Sequence, residues 1–265
     1  MSFLSKIVKY KKNELKLRKL KVPQEELLKS IMKTPANRNF RDVFEYNTFV
    51  VIGEIKKKAP SQGVMRTNIN AGKIAKVYED AGIKAISVVT DRKYFDGRLE
   101  YVKDVKKMSG VPVLRKDFII DEYQIYETRE ATADALLLIA SILDKRDLYN
   151  FVKKARFLNL TPVVEVHSKE DIRKAVGSGA EIIGINTRDL KTFKTNLGVV
   201  SRLVKQIPKD RIVICESGIN KPEDIGEVLI DSRIRGVLVG TMFMKAKEKN
   251  IKQYVNYMLY RAGNE

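Results

Sequence analysis

Residues 49–63, FVVIGEIKKKAPSQG, decide how this chain is read. The stretch starts as an apolar, β-branched run of strand type, turns to Glu54, Lys56, Lys57 and Lys58, and breaks at Pro60 and Gly63. Side chains alternate across a strand, so Glu54 and Lys56 share the face of Ile52, while Val51, Gly53 and Ile55 take the other. With Ile52 turned into a closed core, the carboxylate and the ammonium stand at its open end, where a ligand can reach them. Lys57 and Lys58 read instead as a solvated cluster.

Outward from this strand the chain alternates. Further strand-like runs lie at 85–90, 111–115, 134–139, 161–165, 181–185, 212–215 and 236–239. Amphipathic helical stretches fall between them at 72–81, 99–107, 122–132, 144–158, 169–176, 197–207 and 222–229, with an eighth at 251–261. Asn70, Asp121 and Asp144 are placed to cap three of these helices. Apolar strands alternating with helices imply a parallel sheet covered on its outer face, and eight repeats point to closure. The expectation is an α/β fold, a (β/α)8 TIM barrel with an N-terminal helical extension. The alternative, a doubly wound open sheet, lacks a GxGxxG after its first strand. Residues 3–33 read as two helices interrupted at Pro23, and 34–46 as a connecting loop with a short helix. Residues 1–47 are thus expected to pack as an extension on a catalytic barrel of residues 48–265, in one structural domain.

Composition narrows the function. The chain has 265 residues, 44% of them hydrophobic, enough for one barrel of about 250 residues. No apolar run approaches the roughly 20 residues that cross a bilayer, and the basic amphipathic start differs from a signal peptide. A cytosolic protein with no membrane attachment is expected. The single cysteine, Cys215, and single histidine, His167, exclude a disulfide framework, a cysteine zinc site and a His-rich metal site. Acid–base work is left to Lys, Glu and Asp. The net charge of +18 could serve nucleic acid or an anionic small substrate, but the basic residues are spread throughout without a nucleic-acid motif. Most of the excess reads as solvated surface. The 32% charged content and the absence of Trp suit a thermophile.

Barrel active sites lie at the C-terminal strand ends. The first strand offers Glu54 and Lys56, the loop after the second Phe95, the third Lys116, the fifth Glu165, the sixth Asn186 and Arg188, and the seventh Glu216. Surface decoration does not predict such recurrence. Asp91, Asp117, Asp189 and His167 are individually assigned to loop structure and supporting ion pairs. After strands seven and eight, Gly218 and Gly240 let main-chain N–H groups approach an anion, and Ser217 and Thr241 add hydroxyl donors. Either glycine alone could serve only a tight turn, but the pairing favours phosphate.

The segments IGEIKKKAPSQG, SVVTDRKYFDGRLEYV, VPVLRKDFIIDEYQIYE, ADALLLI, VVEVHSKED, GAEIIGINTRDLKTF and ESGI, in this order, resemble indole-3-glycerol phosphate synthase, the barrel lyase of tryptophan biosynthesis. The resemblance covers essentially the whole chain, and LRKDFIID together with GINTRDLKTF is its most specific part. It implies that Lys116 is the general acid and Glu165 the general base, with Glu54, Lys56, Asn186 and Glu216 as other catalytic positions. It further implies substrate contacts by Phe95 and Arg188 and a phosphate site at Ser217, Gly218, Gly240 and Thr241. The implied substrate is 1-(2-carboxyphenylamino)-1-deoxyribulose 5-phosphate, handled without metal or organic cofactor by a monomer that binds no nucleic acid. Against the family's usual pattern, Gly53 stands for Ala, Ala59 for Ser, Gln62 for Lys and Thr132 for Gly, and GTMFM follows the eighth strand. Ala59 and Met242 bear on phosphate and loop contacts, and no departure touches the acid or base. Other readings are a Schiff-base barrel using Lys116 or Lys56 as nucleophile, a phosphate-binding isomerase barrel, and a basic nucleic-acid-binding protein.

Overall fold

The computed structural model describes residues 3–189 and 192–263. Met1, Ser2, Asn264 and Glu265, the outer ends of the two expected segments, lie outside the described residues, as do Leu190 and Lys191 within the barrel. Helices α1 (Phe3–Lys21) and α2 (Gln24–Ile31) come first, separated at Pro23. A 3-10 turn at Asp42–Phe44 leads into β1 (Val50–Ile55), a hairpin of Lys58–Ala59 with Gly63–Val64, and α3 (Ala71–Asp80). The chain then gives β2 (Ala85–Val89), α4 (Arg92–Phe95), α5 (Glu100–Met108), β3 (Val113–Lys116), α6 (Glu122–Glu130) and β4 (Ala135–Ile139). After α7 (Lys145–Phe157) come β5 (Thr161–Val166), α8 (Lys169–Gly177), β6 (Ile182–Asn186), α9 (Gly198–Val204) and β7 (Ile212–Glu216). A 3-10 turn at Pro222–Asp224 and α10 (Ile225–Val228) precede β8 (Ile234–Val239), α11 (Thr241–Lys245) and α12 (Glu248–Arg261).

Each barrel strand pairs in parallel with its neighbours in sequence, and β1 closes on β8 with Val50 opposite Gly236 and Ile52 opposite Leu238. Strand parity sorts the core as the alternation requires. Val50, Ile52, Leu114, Leu137, Val163, Ile182, Ile214 and Leu238 fill the barrel interior, and Phe40 and Phe44 close its N-terminal end. Val51, Ile55, Ile86 and Val88 pack outward against the helices. Asn70, Asp121 and Asp144 accept from the N–H groups of Lys73, Tyr123 and Asp147 at 2.9, 2.9 and 2.7 Å. No helix among the described residues is long and apolar enough to cross a membrane.

Several boundaries differ from expectation for local reasons. β3 starts after Pro112, whose nitrogen has no proton to donate to a ladder. Residues 222–229 form a 3-10 turn and one short helix, and an additional helix, α11, follows β8 directly. Part of the loop after β2 is helical, because Asp91 accepts from the Tyr94 N–H at 2.8 Å and caps α4. Lys57 is not freely solvated: the hairpin folds its ammonium to within 2.5 Å of Asp96.

Helix α1 is fastened by buried charge. Lys11, fully buried, sets Nζ 2.9 Å from Asp91 Oδ2, 3.1 Å from Asp117 Oδ1 and 3.1 Å from Glu14 Oε2. Asp117 Oδ2 also accepts from Thr90 Oγ1 at 2.7 Å and from Nη2 of the fully buried Arg115 at 2.9 Å. Burial would strip the Lys11 proton, but Asp117, Asp91 and Glu14 hold it. Removing one partner of such a group leaves uncompensated buried charge, so Lys11→Met should cost about 3–5 kcal/mol in chemical denaturation. A loss within about 0.5 kcal/mol, typical of a surface site, would contradict this account.

Helix α6 ends in a Schellman turn: Thr132 N–H donates to Arg129 O at 3.0 Å and Ala133 N–H to Thr128 O at 3.2 Å. This geometry places Thr132, a β-branched residue, at φ 63°. Thr132→Gly should therefore raise stability by about 1 kcal/mol, the left-handed penalty less the greater unfolded freedom of glycine. An unchanged or lower denaturation midpoint would show that the threonine is not strained.

Candidate active site

Barrel closure gathers the polar strand ends at one mouth. Glu54 from β1, Lys116 from β3, Glu165 from β5 and Asn186 from β6 line a cavity there with Lys56, Phe95, Arg188, Ser217, Gly218, Gly240 and Thr241. Glu216 of β7 is placed differently: it is 1% exposed and lies behind the cavity surface. Its Oε2 meets Lys116 Nζ at 2.5 Å, while Glu165 Oε2 lies 3.2 Å from the same nitrogen. Lys56 pairs with Glu54. The cavity thus holds two ammonium groups interleaved with three carboxylates.

Two glycines make this density possible. A Cβ at Gly184 on β6 would lie 2.0 Å from Glu216 Oε1, and one at Gly240 would lie 2.3 Å from Glu54 Oε1 and 3.1 Å from Lys56 Nζ. Lys56 therefore sits beside the turn after β8. After β7, the chain takes left-handed φ values at two successive residues, 67° at Ser217 and 93° at Gly218. The strain at Ser217, a residue with a Cβ, is of the kind concentrated at ligand sites. Arg188 donates from Nη1 to Phe193 O at 2.8 Å, and its own N–H donates to Asn186 Oδ1 at 3.0 Å. Phe95 stands with its ring centroid 6.1 Å from that of Phe118.

Burial divides the proton affinities. Desolvation raises the carboxyl of Glu165, but the charge of Lys116 and the contact with His167 outweigh it and hold the group well below the usual carboxylate range. Desolvation likewise opposes ionisation of Glu54, and Lys56 and Lys116 override it. At Glu216 desolvation wins, aided by Glu165 and Glu54, and pushes the carboxyl up to about 7. Burial would lower the Lys116 ammonium, but Glu216, Glu165 and Glu54 raise it above the ordinary lysine value.

His167 makes the supporting ion pair expected of it: Nε2 lies 2.8 Å from Glu165 Oε1 and, facing an ionised carboxylate, donates to it. Strand parity held that signal, since residue 167 shares the face of 165. Ser61 from the hairpin, Phe118 and Phe193 line the cavity, and Phe3, Leu4 and Ile7 of α1 reach over it. No pattern within α1 marks those three as cavity residues.

A closed parallel barrel with an acid–base cluster at its C-terminal mouth defines a (β/α)8-barrel enzyme. The sequence profile of indole-3-glycerol phosphate synthase matches residues 4–254. The chain is 44% identical over 252 residues to the indole-3-glycerol phosphate synthase of Caldanaerobacter subterraneus subsp. tengcongensis, covering 95% of this chain and 97% of that protein. It is 45% identical over 244 residues to that of Thermoanaerobacter pseudethanolicus, covering 91% and 92%. Among solved structures, thiamine phosphate pyrophosphorylase from Pyrococcus furiosus shares the fold with a TM-score of 0.62 at 15% identity, covering 82% of this chain and 98% of that one. The chain belongs to the indole-3-glycerol phosphate synthase family, carboxy-lyases of tryptophan biosynthesis that act on a phosphorylated small molecule.

The raised carboxyl has a consequence for stability. The folded protein keeps a proton on Glu216 that the unfolded chain releases from 4.5 upward. The stabilisation from that proton is complete below 4.5 and is lost as pH rises through about 7. Glu216→Gln, which cannot ionise, should gain on the parent protein across that window, by at most about 3 kcal/mol. Thermal unfolding from pH 4 to 8 reads the difference, and parallel stability curves would reject it.

Proposed function

We propose that this cup converts 1-(2-carboxyphenylamino)-1-deoxyribulose 5-phosphate to indole-3-glycerol phosphate with Lys116 as general acid and Glu165 as general base. The contact of Lys116 Nζ with Glu165 at 3.2 Å, inside the cavity, carries the assignment. Ring closure makes an electron-rich aryl carbon attack the ketone, and negative charge develops on the ketone oxygen. An ammonium kept charged by Glu216, Glu165 and Glu54 is suited to protonate that oxygen. Carbon dioxide then leaves from the attacking carbon and restores the arene, and the former ketone oxygen, now a hydroxyl, departs as water with a second proton that Glu216 can return to Lys116. Glu165, held ionised, takes the proton from the carbon beside the ring nitrogen, whose loss completes the pyrrole ring, and offsets the cationic intermediate, while His167 fixes its orientation.

Lys56 has the other task. Its place beside the Gly240 turn suits it to the substrate's negative charge, together with Arg188, while Ser217, Gly218, Gly240 and Thr241 receive the phosphate. Asn186 positions the Arg188 loop, Glu54 anchors Lys56, Glu216 anchors Lys116, and Phe95 packs against the aryl group. A charged Lys116 argues against an amine nucleophile, so the Schiff-base reading is set aside. This chemistry calls for no metal or organic cofactor, and the reading extends to a cytosolic monomer without nucleic-acid partner.

Purified protein given the substrate should generate indole fluorescence, and no turnover would end the assignment. Lys116→Ala and Glu165→Ala should each lower kcat by about 10²–10⁴-fold, whereas losses below about threefold in both would refute the roles.

A further inference from the structure

The barrel's opposite face carries charge that the reaction does not use. A recess there, at the N-terminal ends of β5 and β6, is lined by Arg38, Arg41, Arg129, Arg156, Asn37, Asn39, Asn159 and Glu181. Two of its arginines have ordinary partners. Arg156 Nη2 donates to Gly179 O at 2.7 Å and to Glu181 Oε1 at 2.8 Å, and Arg41 pairs with Glu45 and Glu181. The other two do not. Arg129 is 9% exposed, donates from Nη2 to Pro35 O at 2.9 Å, and leaves Nη1 without a partner. Arg38 donates from Nη1 to the carbonyls of Ser109 and Val111, both at 2.9 Å. Among the described residues neither guanidinium has a carboxylate within ion-pair distance.

The neighbouring acid is already engaged. Asp134, fully buried, takes Lys106 Nζ at 2.6 and 2.7 Å and the N–H groups of Arg38 and Val113. Desolvation lowers the proton affinity of Arg129 and outweighs the opposing charge of Asp134. A guanidinium at the end of a helix is ordinarily accounted for by the helix dipole, and Arg156 at the end of α7 fits that account. Burying Arg129 beside Arg38 with no carboxylate at ion-pair distance does not fit it, because a buried cation without a contacting partner charge is costly. Planar guanidinium forks match the oxygens of a phosphate group, and the exposed Asn159 stands at the rim beside them, its main-chain carbonyl taken by Asn37 Nδ2 at 3.0 Å.

We propose that this recess is a second anion site, for a phosphate group, held by Arg38, Arg129 and Arg156 on the face remote from the acid–base cup. Its occupant supplies the contacting negative charge that the guanidinium groups of Arg38 and Arg129 lack among the described residues. Equilibrium dialysis of the intact protein against labelled inorganic phosphate, at constant ionic strength, tests it. Asn159→Asp, exposed and isosteric, puts a negative charge at the rim, and Arg38→Gln removes one cation. Each should bind one phosphate fewer per chain than the parent protein, with kcat and KM of the lyase reaction unchanged. Asn159→Asp keeps the test readable should Arg38→Gln unsettle the carbonyls it holds. Displacement of the label at the recess by tripolyphosphate more readily than by ribose 5-phosphate marks an oligophosphate occupant, and the reverse a monoester; either supports the site. Equal phosphate stoichiometry in the parent and both variants overturns it.

Discussion

The ammonium of Lys11, buried against Asp91 and Asp117, is the constraint on which the mouth of the barrel depends. Those carboxylates belong to the ends of two adjacent strands, β2 and β3. Asp91 also caps α4, the turn that carries Phe95. Asp117 follows Lys116 directly, and consecutive side chains of extended chain take opposite faces. One face of this segment is therefore held by Lys11, Arg115 and Thr90, while the other presents the ammonium to Glu165 and Glu216. The same charge draws α1 down, so that Phe3, Leu4 and Ile7 form part of the cavity wall. Helix placement and acid placement thus have a common cause.

Within the cup, low dielectric makes the proton inventory a matter of neighbours. Glu165 and Glu216 face the same ammonium, yet their proton affinities move in opposite directions. Glu165 has His167 as a second donor, whereas Glu216 has one oxygen, Oε1, without a partner. A carboxylate with two donors stays ionised, and one with a single shared donor gives way to desolvation. The result is an ionised carboxylate at neutral pH next to a carboxyl whose proton affinity lies near neutrality.

The barrel was legible because hydrophobic periodicity, capping residues and polar strand ends are local properties, and Asn70, Asp121 and Asp144 do what their types suggest. Bringing eleven of the twelve candidate site residues around one mouth needed only closure. Lys11 was not legible: a lysine on a basic helix reads as solvated until its partners, about 80 and 106 positions away, are known. The same limit applies to Lys57, whose partner Asp96 comes from another loop, and to the one-turn helices α4 and α11, too short to show periodicity. Glu216 was found as the polar end of the seventh strand, but its burial depends on Gly184 across the sheet.

Gly53, Gln62 and Met242, expected from the resemblance to depart from the family's pattern, each touch residues that suit them. A Cβ at Gly53 would lie 2.5 Å from Tyr78 Cδ2, so the tyrosine occupies the space an alanine would need, and its hydroxyl donates to Glu54 O at 3.3 Å. Gln62, where lysine is frequent, accepts from Lys245 Nζ at 2.6 Å; a lysine there would meet like charge. That bond ties the hairpin to α11, the helix that begins at Thr241, on two sides of the cup. Met242 is 7% exposed and packs into the outer core, leaving Thr241 beside Gly240 at the cavity. Gly53, Gln62 and Met242 therefore fall on the supports of the cup, where a partner can change with them, and Ala59 alone of these positions lines the cavity; none falls among the interleaved charges, whose shared contacts couple any single change to its neighbours.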